Sequence, residues 1–180
     1  MCEVLPSLVD HQLWTPVPLE ADPFAPVLPD AGTETADGGL TLDEQIGRCT
    51  APAARYEIFG GEPSYTVLTS SRCHWVTVEQ PLLEQVRRGE DLNVRVWYFS
   101  QSASGETEAR LQLAFGVDVV WAQSVPLPTT SGLAYGTVSA PTDVAVGTPV
   151  RWSLSNHGSN SWNLLEFSVT RRVPCPRDAG

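Results

Sequence analysis

From Arg55 onward the chain alternates apolar and polar residues with a period of two, and this pattern limits the fold more than any other feature. Within residues 91–99, for example, Leu92, Val94 and Val96 alternate with polar side chains. Successive side chains of a β-strand point to opposite faces, so the pattern is typical of half-buried strands. Many short strands without intervening helices predict an all-β antiparallel sandwich of two sheets. Turn residues delimit about nine such strands, at residues 55–60, 64–69, 74–79, 91–99, 107–115, 118–126, 134–140, 149–155 and 162–171.

Residues 1–48 depart from this pattern because they are rich in proline, with six of the fifteen prolines before residue 30. Proline lacks a backbone N–H donor, which excludes this stretch from a helix interior or a central strand. We therefore expect an extended Pro-rich N-terminal segment and linker over residues 1–48, followed by a sandwich domain over residues 49–176. The apolar side chains expected to pack this segment against the domain are Leu13, Trp14, Val17 and Phe24.

The charge balance narrows the classes of partner. The formal net charge is −10, and all eleven basic residues are arginine. A strongly acidic chain lacks the surface that neutralises phosphates, which argues against nucleic-acid binding and against docking on an anionic membrane. No apolar run approaches the roughly 18 residues of a membrane-spanning helix, so the sequence predicts no transmembrane segment.

The four cysteines are Cys2, Cys49, Cys73 and Cys175. None belongs to a CxxC pair, which argues against a zinc cage, and an even count favours an oxidising compartment with one or two disulfides. Spacing alone leaves three connectivities open. The Met1-Cys2 start allows two interpretations: a lipid anchor at Cys2 in a bacterial lipoprotein whose leader has been replaced, or an ordinary cysteine.

The stretch from Gly147 to Val169 resembles the closing hairpin of galactose-binding-domain-like jelly rolls, a fold shared by many carbohydrate-binding modules. It has a strand, a polar turn rich in Asn and Gly, and a last strand that opens on Trp162. The stretches 56–58 and 89–97 resemble strands near the start of the same fold. The resemblance implies a jelly roll whose first and last strands are antiparallel neighbours. This fold also serves adhesion, protein docking and structural roles.

Two expectations follow from that implied pairing. A register in which paired residue numbers sum to 223 sets Glu57 opposite Glu166, and two carboxylates so placed need a cation or an arginine nearby. A structural calcium between them is therefore expected, the alternative being that Arg55, Arg171 or water satisfies each carboxylate separately. The same pairing brings the ends of the two strands together and implies a Cys49–Cys175 disulfide. Cys73 would then lie beside His74 or bond to Cys2.

A candidate ligand-binding face follows from side-chain parity. If the strands are neighbours, one sheet surface carries a tryptophan among guanidinium and amide groups. An aromatic face can stack on the C–H bonds of a sugar ring while planar donors take hydroxyl groups in pairs. The alternative is that the N-terminal segment covers this face. The predicted ligand-binding residues are Arg95, Trp97, Arg110, Gln112 and Arg151, with Ser153 on the same parity.

Catalysis is not expected. The three histidines are His11, His74 and His157, and no GxSxG, HExxH or P-loop motif occurs. Glu57 and Glu166 could serve as a glycosidase pair only in a cleft, which an edge of a sheet does not provide. We therefore expect a non-catalytic, carbohydrate-binding module of a secreted or surface-tethered bacterial protein. The alternative is an envelope structural or protein-docking domain without a sugar site.

Overall fold

The computed structural model describes residues 2–25, 47–156, 158–173 and 175. Each of the nine predicted strands is present, with ends within two residues of the prediction, and two short strands precede them. Among the described residues, no helix is long and apolar enough to cross a bilayer. The elements are β1 (Cys2–Val4), β2 (Thr15–Pro16), a 3₁₀ turn (Leu19–Ala21), β3 (Ala54–Phe59), β4 (Glu62–Thr69), β5 (Trp75–Pro81), β6 (Asp91–Tyr98), β7 (Thr107–Phe115), β8 (Asp118–Leu127), β9 (Gly132–Ser139), β10 (Pro149–Ser155) and β11 (Asn160–Val173).

The strands form two antiparallel sheets. The six-stranded sheet has the order β3-β4-β11-β6-β9, with β1 added beside β11, and the five-stranded sheet has the order β2-β5-β10-β7-β8. The predicted all-β, two-sheet jelly-roll sandwich is thereby confirmed.

The core fills the space between the sheets with the apolar side of the alternating pattern. Trp152 from β10 and Trp162 from β11 are fully buried, and the Tyr65 ring meets Trp152 edge-on at 5.9 Å between centroids. On the other side of β10, Arg151 and Ser155 point out of the sandwich and are half-buried and exposed, respectively. The alternation therefore separates the core from two outer sheet faces.

The Pro-rich segment joins the two sheets along one side of the sandwich. Strand β1 pairs with the end of β11, and β2 pairs with the outer edge of β5. Between them, Leu8 and Val9 are buried in the core. Of the four side chains expected to pack, Trp14 and Val17 are buried and Phe24 is half-buried, whereas Leu13 is exposed. Residues 26–46, which include the expected linker, lie outside the described part of the chain.

The implied pairing of the first and last sandwich strands is wrong. Strand β4 lies between β3 and β11 and is antiparallel to both, so β3 and β11 run parallel to each other. Glu57 faces Ser64 of β4, and Glu166 faces Arg95 of β6. The register that set Glu57 opposite Glu166 does not occur.

The predicted Cys49–Cys175 disulfide is wrong for the same reason. Because β3 and β11 are parallel, the start of β3 and the end of β11 lie at opposite ends of the sheet. Cys2 is brought to Cys175 by the pairing of β1 with β11, and Cys49 is bonded instead to Cys73 in the turn between β4 and β5. A thioether-linked lipid on the Cys2 sulfur and the Cys2–Cys175 disulfide exclude each other.

His11 anchors the N-terminal segment to β11. Its Nε2 lies 3.2 Å from the carbonyl oxygen of Leu165, and its Nδ1 accepts a hydrogen bond from the Trp14 indole at 3.3 Å. A neutral ring with its proton on Nε2 satisfies both contacts. Burial lowers the pKa of His11 from its ordinary value of 6.5, against the opposing effects of the Leu165 hydrogen bond and the Asp10 charge.

This environment predicts a pH-dependent stability. Since folded His11 binds a proton less readily than unfolded His11, its contribution is fully present above pH 6.5 and is lost as the pH falls below that value. We expect the Tm of the wild type to fall more steeply from about pH 7 to about pH 5 than the Tm of His11→Gln, which does not titrate there. Equal slopes in thermal melts of the two proteins would contradict this assignment.

Candidate functional site

The structure divides the predicted ligand-binding residues between two surfaces. Arg110, Gln112 and Arg151 lie on the outer face of the five-stranded sheet, on β7 and β10. Arg95 and Trp97 lie on the outer face of the six-stranded sheet, because β6 pairs with β11 and β9 instead of β7. The parity assignment holds for each strand, but the two groups do not form one site.

A cleft of about 660 Å³ lies on the outer face of the five-stranded sheet. We call it the β7–β10 cleft. Its volume falls within the roughly 300–1,000 Å³ typical of small-molecule sites. It is lined by Phe24, His74, Trp75, Thr107, Glu108, Arg110, Gln112, Ser153, Leu154, Ser155 and Asn156.

The floor of the cleft is two rows of directly paired residues. In one row, Ser155 of β10 faces Trp75 of β5 and Arg110 of β7. In the next row, Ser153 faces Thr77 and Gln112 in the same way. Adjacent strands are about 4.8 Å apart and alternate residues of one strand are about 7 Å apart, and these distances set the spacing of the polar groups on the floor.

Several polar groups near the cleft are already used within the protein. Thr77 donates a hydrogen bond to Ser153 at 3.3 Å, and the Asn156 amide donates to the Thr69 hydroxyl at 2.5 Å. Arg151 pairs with Glu79 at 2.9 Å and donates to the Gly116 carbonyl at 3.0 Å. These groups hold the strands and are not available to a ligand.

Three side chains of the floor have polar groups that are free to bind a ligand. Within the described ranges, no hydrogen bond or ion pair engages the Arg110 guanidinium, the Gln112 amide or the Ser155 hydroxyl. Arg110 and Ser155 are exposed and Gln112 is half-buried. The cleft therefore presents a fork of N–H donors, an amide and a hydroxyl on a rigid sheet, which suits a ligand rich in hydroxyl groups.

Trp75, in the first row of the cleft floor, is a lining residue that was not predicted from the sequence. Its side chain is only 2% exposed, and it lies on the outer parity of β5 with Thr77. The Arg48 guanidinium lies 5.7 Å from the centroid of a Trp75 ring and donates to the Val17 carbonyl. The alternation of Trp75 with the buried Val76 is the sequence signal that could have placed Trp75 on the outer face.

The other outer face carries what we call the aromatic surface, formed by Phe59, Trp97, Phe99, Leu133 and Tyr135. The Phe59 ring lies 6.3 Å from Trp97 and 5.7 Å from Phe99 between centroids. Tyr135 is 70% exposed and Phe99 is 50% exposed. The exposed rings make this face a second candidate surface, with a character different from that of the cleft.

Arg95 borders the aromatic surface but is occupied by two carboxylates. It pairs with Glu166 and, at 2.9 Å, with Glu62. Burial alone would lower the pKa of Arg95, but the hydrogen bonds and charges of Glu166 and Glu62 raise it. The guanidinium is therefore held as a charged group between its partners and is not a free donor.

The expected metal ligands have separate partners. Glu57 pairs with Arg55, as the alternative to calcium foresaw, and Glu166 pairs with Arg95 and accepts a hydrogen bond from Ser168 at 2.6 Å. Over the described part of the chain, no group of three or more His, Cys, Asp or Glu side chains could hold a metal ion. Calcium binding stays a prediction from the resemblance, but Glu57 and Glu166 do not form the carboxylate pair on which that prediction was based.

Comparison with solved structures finds several carbohydrate-binding modules of similar fold. A carbohydrate-binding module described for specific mannan recognition, TmCBM27, has a TM-score of 0.49 and 12% identity, covering 96% of this chain and 100% of that one. TmCBM61, solved with β-1,4-galactotriose, has a TM-score of 0.40 and 12% identity, covering 73% of this chain and 97% of that one. No protein-family model and no curated protein sequence matches significantly. Likenesses at this level do not indicate what this chain binds.

Proposed function

We propose that this protein is a non-catalytic binding module that takes a carbohydrate in the β7–β10 cleft. The observation that carries the proposal is the set of unengaged polar side chains, Arg110, Gln112 and Ser155, side by side on the cleft floor. Sugar hydroxyl groups are both donors and acceptors, and planar amide and guanidinium groups bind them in pairs. Phe24 adds an aromatic side chain at the cleft lining.

Binding without catalysis is supported by the composition of the cleft. Glycoside hydrolysis uses two carboxyl groups that flank the bond to be cleaved, about 5–9.5 Å apart. Among the described residues that line the cleft, Glu108 is the one with a carboxylate. A single carboxylate supplies an acceptor for hydroxyl groups but not an acid–base pair.

The proposed location is outside the cytoplasm, either secreted or at the cell surface. Both disulfides, Cys2–Cys175 and Cys49–Cys73, are of a kind that persists in oxidising compartments. The Cys2 sulfur is bonded to Cys175. We therefore propose that any attachment of the protein to the cell surface does not use a lipid on that sulfur.

The proposal is tested on a glycan array with single variants. We expect the wild type to bind at least one glycan and Gln112→Ala to lower its affinity about tenfold, because the variant removes a paired donor and acceptor from the floor. Tyr135→Ala, on the aromatic surface, is the matched control and should bind as the wild type does. A wild type that binds no glycan, or a Gln112→Ala protein with unchanged affinity, would contradict the proposal.

A second candidate function, docking of a protein partner, is favoured by the exposed rings of the aromatic surface. The same two variants distinguish it from glycan binding in the cleft. If the protein docks a partner through the aromatic surface, Tyr135→Ala should weaken binding of that partner and Gln112→Ala should leave it unchanged.

A further inference from the structure

Most arginines on the strands are neutralised by carboxylates of the same chain. The pairs are Arg55 with Glu57, Arg95 with Glu62 and Glu166, Arg151 with Glu79, and Arg171 with Glu84 and Glu90. Among the strand residues that the structure describes, Arg110 and Arg172 are without such a pair. Of these two, Arg110 is the one in the β7–β10 cleft.

The lack of an ion pair at Arg110 is not for want of a neighbouring carboxylate. Glu108 lies two residues before Arg110 on the same face of β7, and both line the cleft. Arg55 and Glu57 have the same separation on β3 and do form an ion pair. In the cleft, by contrast, the guanidinium and the carboxylate stay apart, and both are exposed to an incoming ligand.

A free guanidinium on a binding floor has a specific preference. Its planar fork matches a carboxylate in a two-bond geometry, and such charge-assisted bonds are about twice as strong as neutral ones. The chain has a net charge of −10, so an arginine without a paired carboxylate is a local positive charge on a protein that is negative overall. The Arg110 guanidinium is therefore best suited to bind an anionic group of the ligand.

We propose that the β7–β10 cleft selects acidic glycans, with a uronate carboxylate bound by Arg110; this rests on the proposed function of the cleft. Gln112, the next outward-facing residue of β7, and Ser155, directly opposite Arg110, take hydroxyl groups of the same or the adjoining ring. Glu108 repels a carboxylate placed on its side and so favours ligands whose acid group lies toward Arg110.

The test compares uronate oligosaccharides with their carboxyl-reduced counterparts, which keep the same linkages but carry no charge. Galacturonate, glucuronate and mannuronate oligomers are titrated at low and high salt. We expect at least one acidic form to bind about tenfold more tightly than its reduced partner, with a preference that weakens as salt is added.

Three variants assign the preference to the cleft. Arg110→Gln should remove the preference for the acidic form, whereas Glu108→Gln should increase the affinity for it, since a repelling charge is removed. Arg172→Gln is the matched control, because it removes an unpaired arginine on another surface and should leave the preference unchanged.

The outcomes separate this inference from the proposed function. Equal affinity for acidic and reduced forms, or an acid preference that persists in Arg110→Gln, overturns the inference. If neutral glycans still bind and Gln112→Ala weakens them, the cleft remains a glycan site and the uronate assignment alone fails. Absence of binding to any glycan overturns both.

Discussion

Removal of the Cys2–Cys175 disulfide is expected to lower the free energy of unfolding by up to about 5 kcal/mol. The two cysteines are 173 residues apart, and in the chain-entropy model a cross-link of that span strongly restricts the unfolded ensemble. Cys49–Cys73 closes a span of 24 residues, for which the same model gives about 3 kcal/mol. The paired substitutions Cys2→Ala/Cys175→Ala should therefore cost more than Cys49→Ala/Cys73→Ala in denaturant unfolding.

Peptide mapping of the non-reduced protein supplies the control for this comparison, since it identifies the bonds directly. Peptides joined through Cys2–Cys175 and Cys49–Cys73 are expected. A Cys49–Cys175 peptide would refute the pairing of β1 with the end of β11, and a smaller stability loss for the Cys2/Cys175 variant would refute the entropic account.

Trp14→Ala is expected to lower the free energy of unfolding by about 3–5 kcal/mol, the usual range for a buried tryptophan. The side chain is 6% exposed, its ring lies 6.1 Å from Tyr65 between centroids, and its indole nitrogen donates to His11. The loss of this side chain leaves a cavity where the N-terminal segment joins the sandwich. Chemical denaturation measures the effect.

Leu13→Ala is the matched control, because Leu13 is the neighbouring residue of the same segment and is 45% exposed. It should cost less than about 1 kcal/mol, since surface substitutions have small effects. Similar losses for Trp14→Ala and Leu13→Ala would mean that the segment does not pack into the sandwich as described.

The local parts of the fold could be predicted from the sequence, since strand positions depend on alternation and turns. The period-two pattern in β6 and β7 placed Leu92 in the core and Arg110 outside it, and the structure agrees on both. The order of strands could not be predicted, because it depends on contacts between residues far apart in the chain. The placement of β4 between β3 and β11 is such a contact, and it excludes both the Cys49–Cys175 disulfide and the pairing of Glu57 with Glu166.

The candidate site shows the same division between local and distant information. Parity correctly put Trp97 and Gln112 on outward faces, but it does not state to which sheet a strand belongs. The short strands β1 and β2 were not predicted, since each gains its partner from a strand more than 60 residues away and proline-rich sequence gives no alternation. Trp75 was not among the predicted cleft residues, because a large apolar residue is usually buried in the core.

The most direct test of the glycan site is an NMR titration of the labelled protein with the best ligand from the array. If the β7–β10 cleft is the site, the largest chemical-shift changes fall on Arg110, Gln112 and Ser155, and Trp97 and Tyr135 are unaffected. Shift changes concentrated on Trp97 and Tyr135 instead would place binding on the opposite sheet and contradict the account.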